Sequence, residues 1–243
     1  MLPKLDVPIY EMTLISTGKK IRFRPFLVKE QKLLLMVAQD EEGKDVVNIV
    51  KQILKNCIVD DVNVDELSTF DLEYLFLNLR ARSVNEVVEL KYKCNNLIKD
   101  ENGEQKQCGS IEKFDIKLLD MKPTKDKNHT NKISLSDKMG IVMKYPTFEM
   151  IQKYEDANEN EIISKILADC IDYIYDKEQI YHAKDSTKEE LEEFIDNLQQ
   201  KDLEKIKEFF DTMPEVKKNV YFKCPKCSYE EDITIKGMQN FFV

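Results

Sequence analysis

Six cysteines stand in this 243-residue chain, and four of them have the spacing and neighbours to share a metal ion. Cys224-Pro225-Lys226-Cys227 has the C-x-x-C spacing that turns a backbone so that both sulfurs face one point. Tetrahedral zinc held by thiolates takes four sulfurs at about 2.3 Å each, so a second pair is needed. Cys94 and Cys108 supply it, although thirteen residues separate them rather than two. Tyr92-Lys93-Cys94 mirrors Phe222-Lys223-Cys224, a strand running into a cysteine in both places. Cys108-Gly109-Ser110 resembles the close of a knuckle, where glycine takes the positive φ of the turn. Residues 95–107 are polar and contain Gly103, as an excursion from one knuckle would be.

Four thiolates fill the coordination sphere of zinc and leave no open position for water or substrate. The expected role of Cys94, Cys108, Cys224 and Cys227 is therefore structural, with zinc binding coupled to local folding. Two other readings stay open from spacing alone. C-x-x-C also serves redox chemistry, usually at a helix start in a βαβ setting, whereas this one lies between strands. Four unconnected core cysteines are the plainer alternative. Cys57 and Cys170 fall on apolar helical stripes and read as small buried hydrophobes.

Little else in the chain suggests chemistry. The two histidines, His129 and His182, fall in segments read as exposed loops, away from any nucleophile or carboxylate partner in sequence. No phosphate-cradling, dinucleotide-binding, zinc-protease or serine-hydrolase motif occurs, and six glycines offer little material for a phosphate loop. No catalytic residue, cofactor-binding loop or small-molecule substrate is expected. Lys91, Lys93, Lys106, Lys223 and Lys226 make the cysteine region locally basic, and Tyr92, Phe222 and Tyr229 are aromatics that could stack on bases. Strand periodicity favours packing for these rings. The net charge of -9 argues against general nucleic-acid binding, which draws on lysine and arginine displacing counterions.

Hydrophobic residues make up 42% and charged residues 34%, enough for a core beneath a charged surface. No apolar run approaches the roughly 20 residues needed to cross a bilayer. The opening Met1-Leu2-Pro3-Lys4-Leu5-Asp6 lacks the basic and apolar segments of a secretory leader. A cytoplasmic setting is expected, with cysteines reduced or metal-bound.

The elements that must position the cysteines follow from periodicity. After an extended leader at 1–8, alternation predicts a hairpin from Ile9 to Phe26 with its turn at Ser16-Thr17-Gly18-Lys19. Helices follow at 29–39 and 45–57, separated by Gly43, and a third begins at a Ser68/Asp71 cap. Val88, Leu90 and Tyr92, then Phe114, Ile116 and Leu118, alternate as two strands around the first cysteine pair. Residues 121–133 read as a polar linker. A short strand at Ile141–Tyr145 gives way to helices over 160–175, 187–199 (capped by Ser186 and Glu189) and 201–211. Val220–Phe222 and Ile233–Ile235 flank the second pair, and Phe241-Phe242-Val243 ends the chain apolar.

The order of these segments resembles a known family. Pro3-Lys4-Leu5-Asp6-Val7-Pro8, the hairpin running into Arg24-Pro25-Phe26-Leu27-Val28-Lys29-Glu30, and Thr69-Phe70-Asp71-Leu72-Glu73-Tyr74-Leu75-Phe76 with Leu79-Arg80-Ala81-Arg82-Ser83-Val84 are similar to T4-like bacteriophage baseplate proteins. So are Val142-Met143-Lys144-Tyr145-Pro146-Thr147 and the late cysteine pair. The resemblance spans nearly the whole chain. It implies a hub protein or hub-assembly chaperone of a contractile-tailed phage, acting through contacts with other hub or tail proteins and without catalysis.

The expected fold is α+β: an N-terminal hairpin with helices (1–86), the first half of a split zinc ribbon (87–120), an inserted mainly helical domain (121–214), and the second ribbon half with the tail (215–243). The expected function is a non-enzymatic baseplate hub assembly factor in the host cytoplasm. Alternatives are a permanent structural subunit of the hub and a zinc-ribbon nucleic-acid binder. The leader and the apolar tail are candidate partner-binding segments.

Overall fold

The computed structural model describes residues 6–39, 46–99, 103–154 and 159–237. The leader through Leu5, the break at Gly43, the acidic residues 155–158 and the apolar tail lie outside these residues, as do the side chains of Ile162 and Ile163. The chain is a mixed α and β protein with small antiparallel sheets and seven α-helices among the described residues.

The first core forms around one helix. Strands β1 (Tyr10–Thr13) and β2 (Lys20–Phe23) pair as the expected hairpin. Helices α1 (Val28–Gln39), α2 (Val46–Cys57) and α3 (Thr69–Ser83) follow. Helix α3 buries Phe70, Leu72, Leu75, Phe76, Leu77 and Leu79, positions that encircle its axis, so it is covered on all sides. Its Ser68 cap forms as expected, the hydroxyl accepting from the Asp71 amide. The Asp71 carboxylate does more than favour the helix start. It accepts from the amides of Ile15 (2.7 Å) and Ser16 (3.2 Å), fixing the β1–β2 turn to the helix.

Two long hairpins lie further along the chain. Strand β3 (Val87–Lys93) pairs with β6 (Ile111–Lys117), and between them a small hairpin joins β4 (Leu97–Lys99) to β5 (Gln105–Gln107). The excursion at 95–107 is therefore partly ordered as strand pairs rather than loop alone. At the other end, β11 (Lys217–Lys223) pairs with β12 (Glu230–Lys236).

The segment read as a linker is packed. Thr124 and Glu215 exchange backbone hydrogen bonds, His129 is buried, and Lys132–Ser134 forms β7. Strands β7, β8 (Gly140–Met143), β9 (Ile171–Tyr175) and β10 (Ile180–His182) make a four-stranded antiparallel sheet in the order β10-β9-β8-β7. Gly140 leaves room for the Tyr175 ring against its backbone, a space that a Cβ would fill.

Helices α4 (Phe148–Gln152), α5 (Glu159–Asp169), α6 (Lys188–Asp196) and α7 (Gln200–Thr212) surround this second core. The helix expected to reach residue 175 ends at Asp169. Cys170 bonds back to Ile166 and Leu167, and Ile171–Tyr175 then pairs with β8. Leu167, Cys170 and Ile174 fit a helical period, which hides a strand that pairs with β10 on one side and with β8, thirty residues back, on the other. The capping box of α6 is Thr187 with Glu190 rather than Ser186 with Glu189. The Ser186 amide instead closes the preceding turn onto the Ala183 carbonyl, which moves the helix start by one residue. His182 lies at the end of β10 rather than in a loop, and it is exposed as expected.

Candidate metal centre

The β3–β6 and β11–β12 hairpins bring Cys94, Cys108, Cys224 and Cys227 together, with all four sulfurs within 4.8 Å of one another. Cys94 Sγ lies 3.7 Å from Cys227 Sγ, and Cys108 Sγ lies 3.6 Å from Cys224 Sγ. A disulfide needs about 2.05 Å, and none is present among them. Zinc–sulfur bonds of about 2.3 Å in a regular tetrahedron put the sulfurs about 3.8 Å apart. Two of the spacings match that edge and none exceeds 4.8 Å, so the four residues are compatible with a tetrahedral thiolate-bound ion.

The surroundings also fit. Cys94, Cys108 and Cys224 are buried, and Cys227 is partly exposed. The sulfur of Cys94 accepts from the Asn96 amide, that of Cys108 from the Ser110 amide, and that of Cys224 from the amides of Cys227 and Lys226. The Asn96 side-chain amide reaches Cys227 Sγ at 3.6 Å, joining one knuckle to the other. Burial, partly offset by the Asn96 amide, pushes the Cys94 thiol up to about 12. Burial also raises Cys224, but the Cys227 and Lys226 amides and the adjoining thiols outweigh it and hold Cys224 at about 6. Four crowded sulfurs cannot all carry charge without a cation to compensate them.

Of the aromatics around the cluster, Phe222 and Tyr92 pack together and Tyr229 is exposed. Phe222 is fully buried, 4.8 Å from the Tyr92 ring and 6.2 Å from the Phe114 ring. The Tyr92 hydroxyl donates to Glu231 Oε1 at 2.6 Å, tying the two hairpins together. Lys223 pairs with Glu230, and Lys226 Nζ donates to the Cys108 carbonyl. Cys57 and Cys170 are buried apart from the cluster, as expected.

His129 differs from its expected exposure. Its ring is buried against Tyr145 and Phe209, which also contact each other, with Nδ1 2.9 Å from Thr212 Oγ1 and Nε2 3.0 Å from the Tyr145 hydroxyl. The Thr212 hydroxyl donates to the Glu208 carbonyl, so Nδ1–H donates to Thr212, and Nε2 accepts from Tyr145. A ring that donates to the threonine does not take its proton, so this contact is no catalytic dyad. Polar composition concealed the site, because the apolar neighbours come from distant elements.

No helix among the described residues is long and apolar enough to cross a membrane. Residues 7–243 match the family described as T4 bacteriophage base plate protein. The chain is similar to the baseplate hub assembly protein gp26 of Enterobacteria phage T4, at 27% identity over 234 residues that cover 96% of this chain and 97% of that protein. No solved structure gives a significant match. With the family pattern running from the first hairpin through the second cysteine pair, the chain belongs to the T4 bacteriophage base plate protein family.

Proposed function

We propose that this protein is an assembly factor for the phage baseplate hub, acting in the host cytoplasm through contacts with other hub or tail proteins and without catalysis. The observation that carries the reading is the end-to-end correspondence with a protein named for hub assembly, over 96% of one chain and 97% of the other. The test is quantitative mass spectrometry of purified particles against infected-cell lysate. Abundance in lysate with absence from particles is expected. A fixed ratio to other baseplate proteins inside particles would make it a permanent hub subunit instead. Nucleic-acid binding is disfavoured by the net charge of -9 and by the buried ring of Phe222.

The second part of the reading is a structural zinc ribbon. Zn²⁺ bound by Cys94, Cys108, Cys224 and Cys227 would tie 87–120 to 215–243 and enclose 121–214 as an inserted domain. Sulfur spacings of 3.6 and 3.7 Å, close to a tetrahedral edge, support it. The metal would supply charge compensation and a cross-link, while the chain supplies the amides that orient each sulfur. Elemental analysis should find one zinc per chain, and Cys224→Ser should lose it. Full loading of that variant would sink the site.

A further inference from the structure

The two cysteine pairs sit in the same backbone turn. In the second, the Cys224 amide donates to the Tyr229 carbonyl at 2.8 Å, and the Cys224 carbonyl accepts from the Ser228 amide at 2.9 Å. In the first, the Cys94 amide donates to the Ser110 carbonyl at 2.8 Å, and the Cys94 carbonyl accepts from the Gly109 amide at 3.0 Å. The residue after the second cysteine is left-handed in both, Gly109 at φ 67° and Ser228 at φ 58°. Each opening cysteine also accepts from the amide two residues on, Asn96 or Lys226. Cys94, Cys108, Gly109 and Ser110 therefore correspond to Cys224, Cys227, Ser228 and Tyr229, position by position.

Thirteen residues lie between the first two cysteines and two between the second two, so the first turn carries eleven more. Their point of entry is visible. The Cys108 amide donates to the Asn96 carbonyl at 2.8 Å, in line with the Leu97↔Gln107, Ile98↔Lys106 and Lys99↔Gln105 register of β4 and β5. The chain leaves the turn after Asn96 and rejoins it at Cys108, with its two ends already hydrogen-bonded together. Asn95 and Asn96 thus hold the places of Pro225 and Lys226.

We infer that residues 97–107 are a hairpin inserted into a complete C-x-x-C knuckle, and that Cys94-Asn95-Asn96-Cys108-Gly109-Ser110 is sufficient for the first half of the metal site. The inference rests on the zinc reading above. It assigns Asn96 to the knuckle rather than to the hairpin, and it frees the hairpin from any part in holding the metal. The exposure of Leu97, Lys99, Gln105 and Gln107 is consistent with that freedom. The partly buried Ile98, packed against the cluster of Cys94, Cys108, Cys224 and Phe222, is the principal apolar contact that its removal would lose.

The experiment deletes residues 97–107 from the full chain, joining Asn96 to Cys108, and measures bound zinc in this variant, in wild type and in Cys224→Ser. The expected result is one zinc per chain in wild type and in the deletion, and none in the substitution. Zinc in wild type with none in a folded deletion variant overturns the inference. No zinc in wild type removes the zinc reading itself. Should the deletion variant not fold, a protease site placed between Lys99 and Gln105 and cut after folding gives the second measurement. Zinc retained through an hour of mild chelator challenge, with a loss rate within about twofold of the uncut protein, supports separability. A tenfold faster loss after cutting overturns it.

Discussion

His129 Nε2 lies 3.0 Å from the Tyr145 hydroxyl, and the two rings stack at 5.6 Å between elements distant in sequence. Tyr145 also meets Phe70 of α3 edge-on at 4.9 Å, while His129 packs on Phe209 of α7. The pair therefore links the core around α3 to the core around the four-stranded sheet. Burial, with repulsion from Lys125 and partial relief from Asp126, lowers the imidazole pKa in the folded protein. The unfolded chain then takes up a proton at higher pH than the folded one. The contribution is fully present above the unfolded value of about 6.5 and declines as pH falls through that value toward the folded pKa. His129→Gln should unfold at lower urea concentration at pH 7.5, with a smaller loss of stability between pH 7.5 and 5.5 than wild type. An unchanged pH slope would count against His129 as its source.

Glu30 is fully buried and meets Arg24 through both carboxylate oxygens, at 3.0 and 3.4 Å, while accepting from the Leu27 amide at 2.8 Å. Arg24 in turn reaches the Asn56 carbonyl at the end of α2. The group joins β2, the start of α1 and the end of α2. Removing one partner of such a pair strands the other charge, at a cost of about 3–5 kcal/mol. Glu30→Ala should lower stability by about that amount in chemical denaturation. Paired replacement of Arg24 and Glu30 by apolar residues should cost less than the single change.

Glu73 on α3 is held at about 7 by burial and by repulsion from Glu215. Its folded pKa lies above the ordinary carboxylate value of 4.5, so the folded state binds the extra proton. Stability is then highest below about pH 4.5 as far as this group is concerned, falls as pH rises to about 7, and levels off above that. At about 1.4 kcal/mol per unit, Glu73→Gln should stabilise the protein by about 3–4 kcal/mol at pH 8 and leave it nearly unchanged near pH 4. Denaturation curves at the two pH values decide it.

The sequence carried the first core well, because its signals were local. Alternation placed β1 and β2, and Ser68 with Asp71 marked the start of α3. What could not be read was where Asp71 sends its carboxylate, since the Ile15 and Ser16 amides are distant in sequence and their approach depends on the tertiary fold. Cys94, Cys108, Cys224 and Cys227 were legible as a group because sulfur has few other reasons to recur beside strands. The hairpin within 95–107 was not, because β4 and β5 are three residues each and mostly polar. Strand β9 was lost to a helical pattern that continued past Asp169. His129 was misread for a related reason: polar composition marks a segment as exposed only when no distant apolar surface covers it.

Zinc removal should act locally. The β3–β6 and β11–β12 hairpins are separate two-stranded sheets whose far ends pack on the α3 core through Val88, Ile116, Val220 and Ile235. Their cysteine ends are held together by the cysteine cluster, the edge-on Phe222 contacts and the Tyr92–Glu231 hydrogen bond. Two-stranded sheets are marginal alone, so on the zinc reading a chelator should loosen them. The buried interior of α3 depends on none of these contacts for its own hydrogen bonds. Hydrogen exchange followed by mass spectrometry should show faster exchange at the cysteine ends of the hairpins, 91–113 and 221–232, on chelation, with protection retained in α3 and in the four-stranded sheet. Equal loss everywhere would mean that the metal supports the whole fold. No change in the two hairpins would mean that their packing suffices without it.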